Sequence, residues 1–278
     1  GQYIQTLPAK GTTMNTIISL MVGRELADAT RAPAFTGTEE ALRVTKLNRG
    51  KAVRDVSFVL RKGEILGFAG LMGAGRTEVA RAIFGADTPD SGEIFIHGQK
   101  RRITSPQDAV KAGLAYLSED RKQFGLVTPM TVRENVTMAS WPRFTKGRVW
   151  MQDAAMTRTA KDYVDLLKVK TPGVEQETRL LSGGNQQKVV IAKWLLRDCD
   201  ILFFDEPTRG IDVGAKAEIH RLVSELAGQG VAVLMISSEM PEVLGMSDRV
   251  AVMHEGRITG ILDRKDADQV SVMSLAAK

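Results

Sequence analysis

Cysteine and histidine are scarce in this chain of 278 residues. Cys199 is its single cysteine, so no internal disulfide framework can form, and a reducing cytosolic compartment fits the composition. The three histidines, His97, His220 and His254, are scattered and show no zinc-ligand spacing. The composition therefore excludes a disulfide-stapled secreted domain and a zinc domain.

Long apolar runs and tracts of like charge are also lacking. The longest apolar run, residues 231–236, is far shorter than the roughly 18 residues that a membrane span needs, and it is typical of a buried strand. The apolar stretch at residues 17–22 runs into charged residues, which indicates the last turn of a helix rather than a signal peptide. The net charge is +5, but the charges are interspersed and only 5% of residues are aromatic, so we expect no nucleic-acid partner.

What the chain does contain is the composition of a folded protein, with 43% hydrophobic and 26% charged residues. Residues 1–40 lack an initiator methionine, carry a helical pattern at residues 14–26 and end in a stretch with proline and glycine. We expect this part to be a linker or the tail of a preceding domain. From residue 41 the sequence shows alternating strand patterns instead, and residues 41–278 are expected to form one domain.

In that second region, predicted strands alternate with predicted helices, which favours a parallel α/β sheet. The expected core strands are residues 65–69, 201–204 and 231–236, with a further strand at residues 250–253. The expected helices are residues 78–84, 185–196, 216–228 and 241–246. Alternating strand patterns predict an antiparallel β subdomain from about residues 41–64 and 92–104, and helical signals predict a helical subdomain at about residues 120–183.

A glycine-rich segment, residues 70–77, stands between the predicted strand at 65–69 and the helix that follows it. It reads Gly-Leu-Met-Gly-Ala-Gly-Arg-Thr, and this strand–loop–helix context is the one that a Walker A phosphate loop requires. Its glycines let successive backbone amides curl around a phosphate, and the helix dipole adds to the attraction. The candidate nucleotide-binding residues are Gly70, Gly73, Ala74, Gly75, Arg76 and Thr77.

Two side chains of this loop have specific expected roles. Thr77 stands where a hydroxyl would ligate Mg²⁺. Arg76 stands where the motif has lysine, and its planar guanidinium keeps the charge but is bulkier than an ammonium. We therefore expect binding to survive with less accurate placement of the γ-phosphate. Taken alone, the segment also fits a glycine-rich turn with an exposed arginine.

Two acidic residues follow the apolar run at residues 201–204. Asp205 and Glu206 thus emerge at the carboxyl end of a predicted buried strand, where ligands bind in open α/β sheets. Asp205 is placed to hold Mg²⁺ through its waters, and Glu206 to polarise an attacking water as general base. An acidic pair that merely ends a strand at the surface is the alternative, and the order of the motifs along the chain argues against it.

Residues 181–188 read Leu-Ser-Gly-Gly-Asn-Gln-Gln-Lys. A hydroxyl and glycine amides at a helix N-terminus form an anion site, here from Ser182, Gly183 and Gly184. This segment resembles the signature of ABC-type ATPases, and its position before Asp205 agrees with that family. The resemblance implies that two nucleotide-binding domains pair head to tail, each signature completing the ATP site of the other domain.

Longer strings resemble the second nucleotide-binding half of a fused monosaccharide-importer ATPase of the ribose, galactose and xylose type. They are residues 69–77, 118–122, 181–188, 205–216 and 237–244. The resemblance implies a P-loop NTPase fold with a RecA-like parallel core, ATP and Mg²⁺ as cofactors, and a D-loop containing Asp212. It also implies hydrolysis of ATP that drives sugar import, with ribose as first choice among sugars.

The resemblance further implies partners and a location. The partners are the first nucleotide-binding domain of the same protein, or a second copy of this chain, together with separate transmembrane permease subunits. A sugar-binding protein is expected only as an indirect partner. The expected location is peripheral, on the cytoplasmic face of the cell membrane.

Three positions depart from a fully competent site of that family. Besides Arg76, Glu119 stands where the Q-loop has glutamine, and Ser238 stands where the switch histidine contacts the γ-phosphate. Glu119 and Ser238 are the catalytic candidates beside Glu206. The alternative function is therefore a degenerate nucleotide-binding and dimerisation module that completes its partner's ATP site. An ATPase acting on DNA or ribosomes would need insertions or a basic tract, and the sequence has neither.

Overall fold

The computed structural model describes residues 5–8, 10–12, 35–147 and 150–277. The helical pattern at residues 14–26, and most of the expected linker, lie outside the described residues. In chain order the strands are β1 Glu40–Arg49, β2 Val53–Arg61, β3 Ile65–Gly70, β4 Ser91–Ile96, β5 Gln99–Arg101, β6 Leu114–Leu117, β7 Thr145–Lys146, β8 Trp150–Met151, β9 Ile201–Asp205, β10 Ala232–Ile236, β11 Arg249–His254 and β12 Arg257–Asp263.

Helices lie between some of these strands. The α-helices are α1 Arg76–Phe84, α2 Pro106–Lys111, α3 Val132–Thr137, α4 Asp153–Leu166, α5 Gly183–Leu196, α6 Val213–Gly228, α7 Met240–Met246 and α8 Gln269–Ala276. The described residues also contain a π-helical turn at Arg121–Gly125 and 3₁₀ turns at Met138–Phe144 and Thr178–Leu180. Among the described residues, no helix is both long enough and apolar enough to cross a bilayer.

The central sheet has six strands in the order β12-β11-β3-β10-β9-β6. Strand β10 pairs in parallel with both β3 and β9, and β6 and β11 extend the parallel arrangement on either side. Every residue of β9 and β10 is buried, which explains their continuous apolar runs. Because the strands are parallel, the carboxyl ends of β3, β9 and β10 lie at one edge of the sheet.

A second sheet is antiparallel and has the order β2-β1-β4-β5. It is formed by the two stretches predicted to be antiparallel, at residues 41–64 and 92–104. Side chains of β2 alternate between buried and more exposed positions, so one face of this sheet packs on the core. The antiparallel prediction is confirmed at the level of strand pairing.

In the stretch predicted to be mainly helical, at about residues 120–183, the helices are shorter and more often interrupted than expected. Helix α3 is capped by Thr131, whose side chain forms a capping box with Glu134, but the helix ends after six residues. Pro142 lies in the following 3₁₀ turn and the non-helical backbone of Ser140 kinks it, so the long helical signal is broken there. The short β7–β8 hairpin then precedes α4, the long helix of this part.

Besides the β7–β8 hairpin, α2, β12 and α8 were not foreseen from the sequence. Strand β12 pairs antiparallel with β11 at the edge of the central sheet, and its residues are half-buried or exposed. Helix α8 places Val272 and Ala276 against Val250 and Val252 of β11. Edge strands and short helices bury few side chains, so their apolar pattern is too weak to predict them.

Candidate functional site

The phosphate-loop segment, residues 70–77, runs from the end of β3 into the first turn of α1. Gly70, Gly73 and Gly75 have positive φ angles of 152°, 78° and 99°. A Cβ atom at Gly75 would lie 2.2 Å from the carbonyl oxygen of Ala52, and one at Gly70 would lie 2.5 Å from that of Met253. Both glycines are therefore required by conformation and by close backbone approach, as a phosphate cradle demands.

Thr77 and Asp205 meet at this edge of the sheet. The Thr77 hydroxyl donates a hydrogen bond to Oδ1 of Asp205 at 3.1 Å, and the Tyr116 hydroxyl donates to Oδ2 at 2.7 Å. Asp205 is 1% exposed, and burial raises its pKa although the hydrogen bonds from Tyr116 and Thr77 oppose the shift. Tyr116, at the third position of β6, was not singled out from the sequence, and only its place at the carboxyl end of a parallel strand would have indicated it.

These oxygens suit a magnesium ion. Mg²⁺ favours hard oxygen ligands and typically binds one or two protein groups together with substrate phosphates and water. The adjacent Thr77 hydroxyl and Asp205 carboxylate provide two such oxygens beside the phosphate loop. In the part of the chain that the structure describes, no group of three or more His, Cys, Asp or Glu could hold a metal by itself. The donor set thus fits an ion that is shared with a phosphate ligand.

Glu206 lies next to Asp205 in a strained backbone conformation with φ of 50°. Its amide donates to the carbonyl oxygen of Ile236 at 2.9 Å, and its Oε2 accepts from the Ser238 hydroxyl at 3.0 Å. Burial raises the pKa of Glu206, while the Ser238 hydrogen bond and the charge of Arg76 act in the opposite direction. A carboxylate with a raised pKa is a better proton acceptor, as a general base requires.

Arg76 reaches across to the loop that follows β10. Its Nη1 donates a hydrogen bond to the carbonyl oxygen of Ser237 at 2.7 Å. Its charge acts on both carboxylates, lowering the pKa of Asp205 and that of Glu206. Arg76 and Ser238, two of the departures from the expected pattern, thus both lie beside the acid pair. Arg76 contacts the loop that carries Ser238, and Ser238 contacts the Glu206 carboxylate.

Glu119 lies in the loop after β6 and forms an ion pair with Arg209. Arg209 follows Glu206 in a turn closed by a hydrogen bond from the Arg209 amide to the Glu206 carbonyl oxygen at 3.1 Å. Arg121 also joins this turn, because its Nη1 donates to the Arg209 carbonyl oxygen at 3.0 Å. Glu119 is therefore linked to the acid pair through Arg209, a partner that was not expected from the sequence.

The signature residues lie at the start of α5. Ser182 is exposed, and its hydroxyl accepts a hydrogen bond from Nδ2 of Asn185 at 2.9 Å. A Cβ atom at Gly183 would lie 2.6 Å from a nitrogen of Arg121, and one at Gly184 would lie 2.4 Å from the Cβ of Ala215. Gly184 thus allows α5 to pack closely against the start of α6, and Gly183 leaves room for the Arg121 side chain.

Asp212 of the D-loop segment is placed by the same packing. Its side chain caps α6 by accepting a hydrogen bond from the Ala215 amide at 2.9 Å. The predicted site residues consequently form two groups. One group surrounds the Asp205–Glu206 pair, and the other consists of the signature and the D-loop, which adjoin each other.

A family model described as ABC transporter matches residues 53–209. Among curated proteins, the chain is 59% identical over 279 residues to one from Burkholderia cenocepacia that is named as a ribose/galactose/methyl galactoside import ATP-binding protein. The match covers 100% of this chain and 54% of that relative. Proteins with the same kind of name from Albidiferax ferrireducens and Halalkalibacterium halodurans are 56% and 50% identical, with 55% and 53% of their lengths covered.

Solved structures of ATP-binding cassettes share the fold. An ATP-binding cassette of an ABC transporter in its ADP conformation has a TM-score of 0.73 and 21% identity, and the match covers 86% of this chain and 99% of that one. A dimeric cassette in a post-hydrolysis state, bound to ADP and Pi, has a TM-score of 0.66 and 21% identity, with 80% and 98% covered. At this identity they confirm the expected α/β P-loop NTPase fold and nothing finer.

The chain spans about half the length of the curated relatives that it matches. The family match extends over more than half of the 278 residues and includes the phosphate loop, the signature and the acid pair. This chain belongs to the ABC transporter family of ATP-binding domains.

Proposed function

We propose that this chain is the second ATP-binding half of a sugar importer and hydrolyses ATP to energise transport through separate membrane subunits. The observation that carries the proposal is the convergence of Thr77, Asp205, Glu206 and Ser238 at the edge where β3, β9 and β10 end. That edge is where open α/β sheets bind their ligands. The proposed domain covers residues 41–278, with a helical subdomain at about residues 120–183.

Each group at the edge has a role in the proposed reaction. The backbone of residues 70–77 and the guanidinium of Arg76 bind the phosphates, and Thr77 and Asp205 hold Mg²⁺, which neutralises charge on the phosphates when it is bound. Glu206 accepts a proton from the attacking water, and Ser238 holds the Glu206 carboxylate in place through its hydroxyl. Glu119 lies at the Q-loop position and is linked to this centre through Arg209.

The substrate is proposed from the relatives. Several are named for the import of ribose, galactose and methyl galactoside, and they are 50 to 59% identical to this chain. We take ribose as the first choice among these sugars. Because the chain spans about half of each relative, the partner site is expected on a preceding nucleotide-binding domain of the same protein or on a second copy of this chain.

This chain has a candidate contact surface for the proposed membrane subunits. A cavity of about 520 Å³ lies between α1, α2, α5 and the π-helical turn, with Phe84, Tyr116, Phe124 and Trp194 among its lining residues. Phe124 is 61% exposed although it is aromatic. An apolar recess with an exposed aromatic side chain is typical of an interaction site. Contact with a permease would place the chain peripherally on the cytoplasmic face of the cell membrane.

The test is single-turnover hydrolysis of radiolabelled Mg·ATP by the purified chain, with nucleotide affinity measured in parallel. We expect turnover that Glu206→Gln abolishes, whereas the matched control Glu175→Gln, an exposed carboxylate that pairs with Arg133, leaves it unchanged. Tight binding without turnover would favour the alternative of a nucleotide-binding and dimerisation module. Absence of nucleotide binding would contradict both functions.

A further inference from the structure

A buried polar cluster lies behind the Asp205–Glu206 pair and has no role in the reaction described above. It consists of Thr208 in the turn after β9, Ser237 at the end of β10, His220 on α6 and Glu242 on α7. These residues are 5%, 2%, 9% and 4% exposed. A buried carboxylate is unfavourable unless its oxygens are hydrogen-bonded, so the arrangement around Glu242 requires an explanation.

Glu242 is the centre of this cluster. Its Oε1 accepts a hydrogen bond from the Thr208 hydroxyl at 2.8 Å and lies 2.5 Å from Nε2 of His220. Burial acts to raise the pKa of Glu242, but the hydrogen bonds with the side chains of His220 and Thr208 oppose it, and the pKa lies below its ordinary value. Its Oε1 is thus shared by α6 and the end of β9, while the side chain itself stands on the helix that follows the end of β10, and its Oε2 has no hydrogen-bond partner among the described residues.

Each of those two strand ends carries part of the site. Thr208 stands two residues after Glu206, whose positive φ of 50° needs support from its surroundings. Ser237 precedes Ser238, which donates to Glu206, and the Ser237 carbonyl oxygen accepts from Arg76. The Thr208–Glu242 hydrogen bond therefore joins the loop that carries the general base to α7, which begins directly after the Ser237–Ser238 loop.

We propose that Glu242, oriented by His220, is a positioning residue that holds the Glu206 loop and the Ser237–Ser238 loop in register for ATP hydrolysis. This inference rests on the proposed ATPase function and deepens it. A general base acts only within hydrogen-bond reach of its water, and a small displacement lowers the rate strongly. The backbone of residues 70–77 is outside the cluster, so nucleotide affinity depends on Glu242 far less than turnover does.

The first test separates kcat from nucleotide affinity. Glu242→Ala removes the shared acceptor and is expected to lower kcat roughly tenfold or more while the Kd for Mg·ATP stays within about threefold. Glu242→Gln keeps an oxygen that accepts from Thr208 and His220, so it is expected to retain most of the rate. Thr208→Val removes one hydrogen bond to Glu242 with little change in side-chain volume. It should lower kcat less than Glu242→Ala does, and the two effects should not add.

Glu64→Ala is the matched control. Glu64 is also a fully buried carboxylate, held by Arg249, but it precedes β3 and lies at the opposite edge of the sheet from the phosphate loop. Its loss is expected to destabilise the fold without lowering kcat at a temperature where the variant is folded. A loss of kcat in Glu64→Ala equal to that in Glu242→Ala would show general destabilisation and overturn the inference.

The second test is hydrogen exchange of the two loops, which does not depend on turnover. Glu242→Ala is expected to speed exchange at residues 206–210 and 237–240 together, and Glu242→Gln and Glu64→Ala are not. Unchanged exchange in both loops, unchanged kcat in Glu242→Ala, or equal damage from Glu242→Gln and Glu242→Ala would each overturn the inference. A parent chain without turnover sensitive to Glu206→Gln would contradict the proposed function alone, and loop exchange would then decide the inference.

Discussion

Three side chains around the acid pair determine its chemistry at the scale of single residues. Arg76 contacts the Ser237 carbonyl oxygen, Ser238 donates to Glu206, and Thr77 donates to Asp205. All three side chains act on a carboxylate whose pKa is raised chiefly by burial, Arg76 through its charge and the other two through their hydrogen bonds. The proton affinity of Glu206 thus reflects a balance between desolvation and a few hydrogen bonds, and single substitutions should shift that balance measurably.

Arg76→Lys tests the departure at the lysine position of the phosphate loop. A compact ammonium is a better point charge between two phosphates than a planar guanidinium, so we expect the single-turnover rate to rise about threefold or more. Arg81→Lys, the same change five residues later in α1, alters an ion pair with Asp87 and serves as control. A rate that falls in Arg76→Lys would show that the guanidinium contact with Ser237 is required.

The pH dependence of turnover reports on Glu206. The general base must be ionised, and burial raises its pKa above the ordinary 4.5, so the rate should fall as the pH drops through this raised value. The Ser238 hydroxyl lowers the pKa, so Ser238→Ala should raise it further and move the acid limb to higher pH. Rate profiles between pH 5 and 9 check the shift, and Ser274→Ala, an exposed serine on α8, should leave the limb in place. An unmoved limb in Ser238→Ala would contradict the assignment.

At the scale of secondary structure, the site depends on where strands end and on how closely loops approach one another. The predicted core strands β3, β9 and β10 are confirmed, and nearly all of their residues are buried. The predicted helix after the loop is also confirmed, although α1 begins at Arg76, two residues earlier than predicted. Sequence patterns identify such elements well, because burial on both faces leaves a strong apolar signal.

Gly75→Ala and Gly73→Ala distinguish two destabilising effects in the phosphate loop, a steric clash with neighbouring backbone and the cost of a positive φ angle. Both positions have positive φ, but a Cβ at Gly75 would meet the Ala52 carbonyl oxygen at 2.2 Å, whereas one at Gly73 meets nothing within 4 Å. We expect Gly73→Ala to lower the free energy of unfolding by about 1 kcal/mol. Gly75→Ala should lower it by more than about 2 kcal/mol and abolish nucleotide binding. Urea unfolding and nucleotide titration of both variants check this, and equal effects would contradict it.

At the scale of the whole molecule, the described residues form two groups of site residues in one chain. The phosphate loop, Asp205 and Glu206 meet at the edge of the central sheet. The exposed Ser182 and the D-loop Asp212 stand at the starts of α5 and α6, which approach each other closely at Gly184 and Ala215. The head-to-tail pairing that the family resemblance implies would bring the second group of one domain to the first group of its partner.

Complementation between two inactive variants tests this pairing. A chain with Glu206→Gln keeps its signature, and a chain with Ser182→Glu keeps its general base. If the chains pair head to tail, mixed dimers contain one intact site, and an equimolar mixture should recover about a quarter of the parent rate by random association. Single-turnover assays of each variant and of the mixture measure the recovery. A mixture as inactive as its components would contradict completion of the site in trans.

Sequence patterns were enough to identify the family, the α/β fold, the phosphate loop and the acid pair, because these depend on short motifs and apolar runs that are local in the chain. They also identified Arg76, Glu119 and Ser238 as departures. Only the tertiary structure showed that Tyr116 donates to Asp205, that Glu119 pairs with Arg209, and that Glu242 joins Thr208 to His220. These contacts join residues on separate elements, and the side-chain packing that sets such distances leaves no local pattern in the sequence.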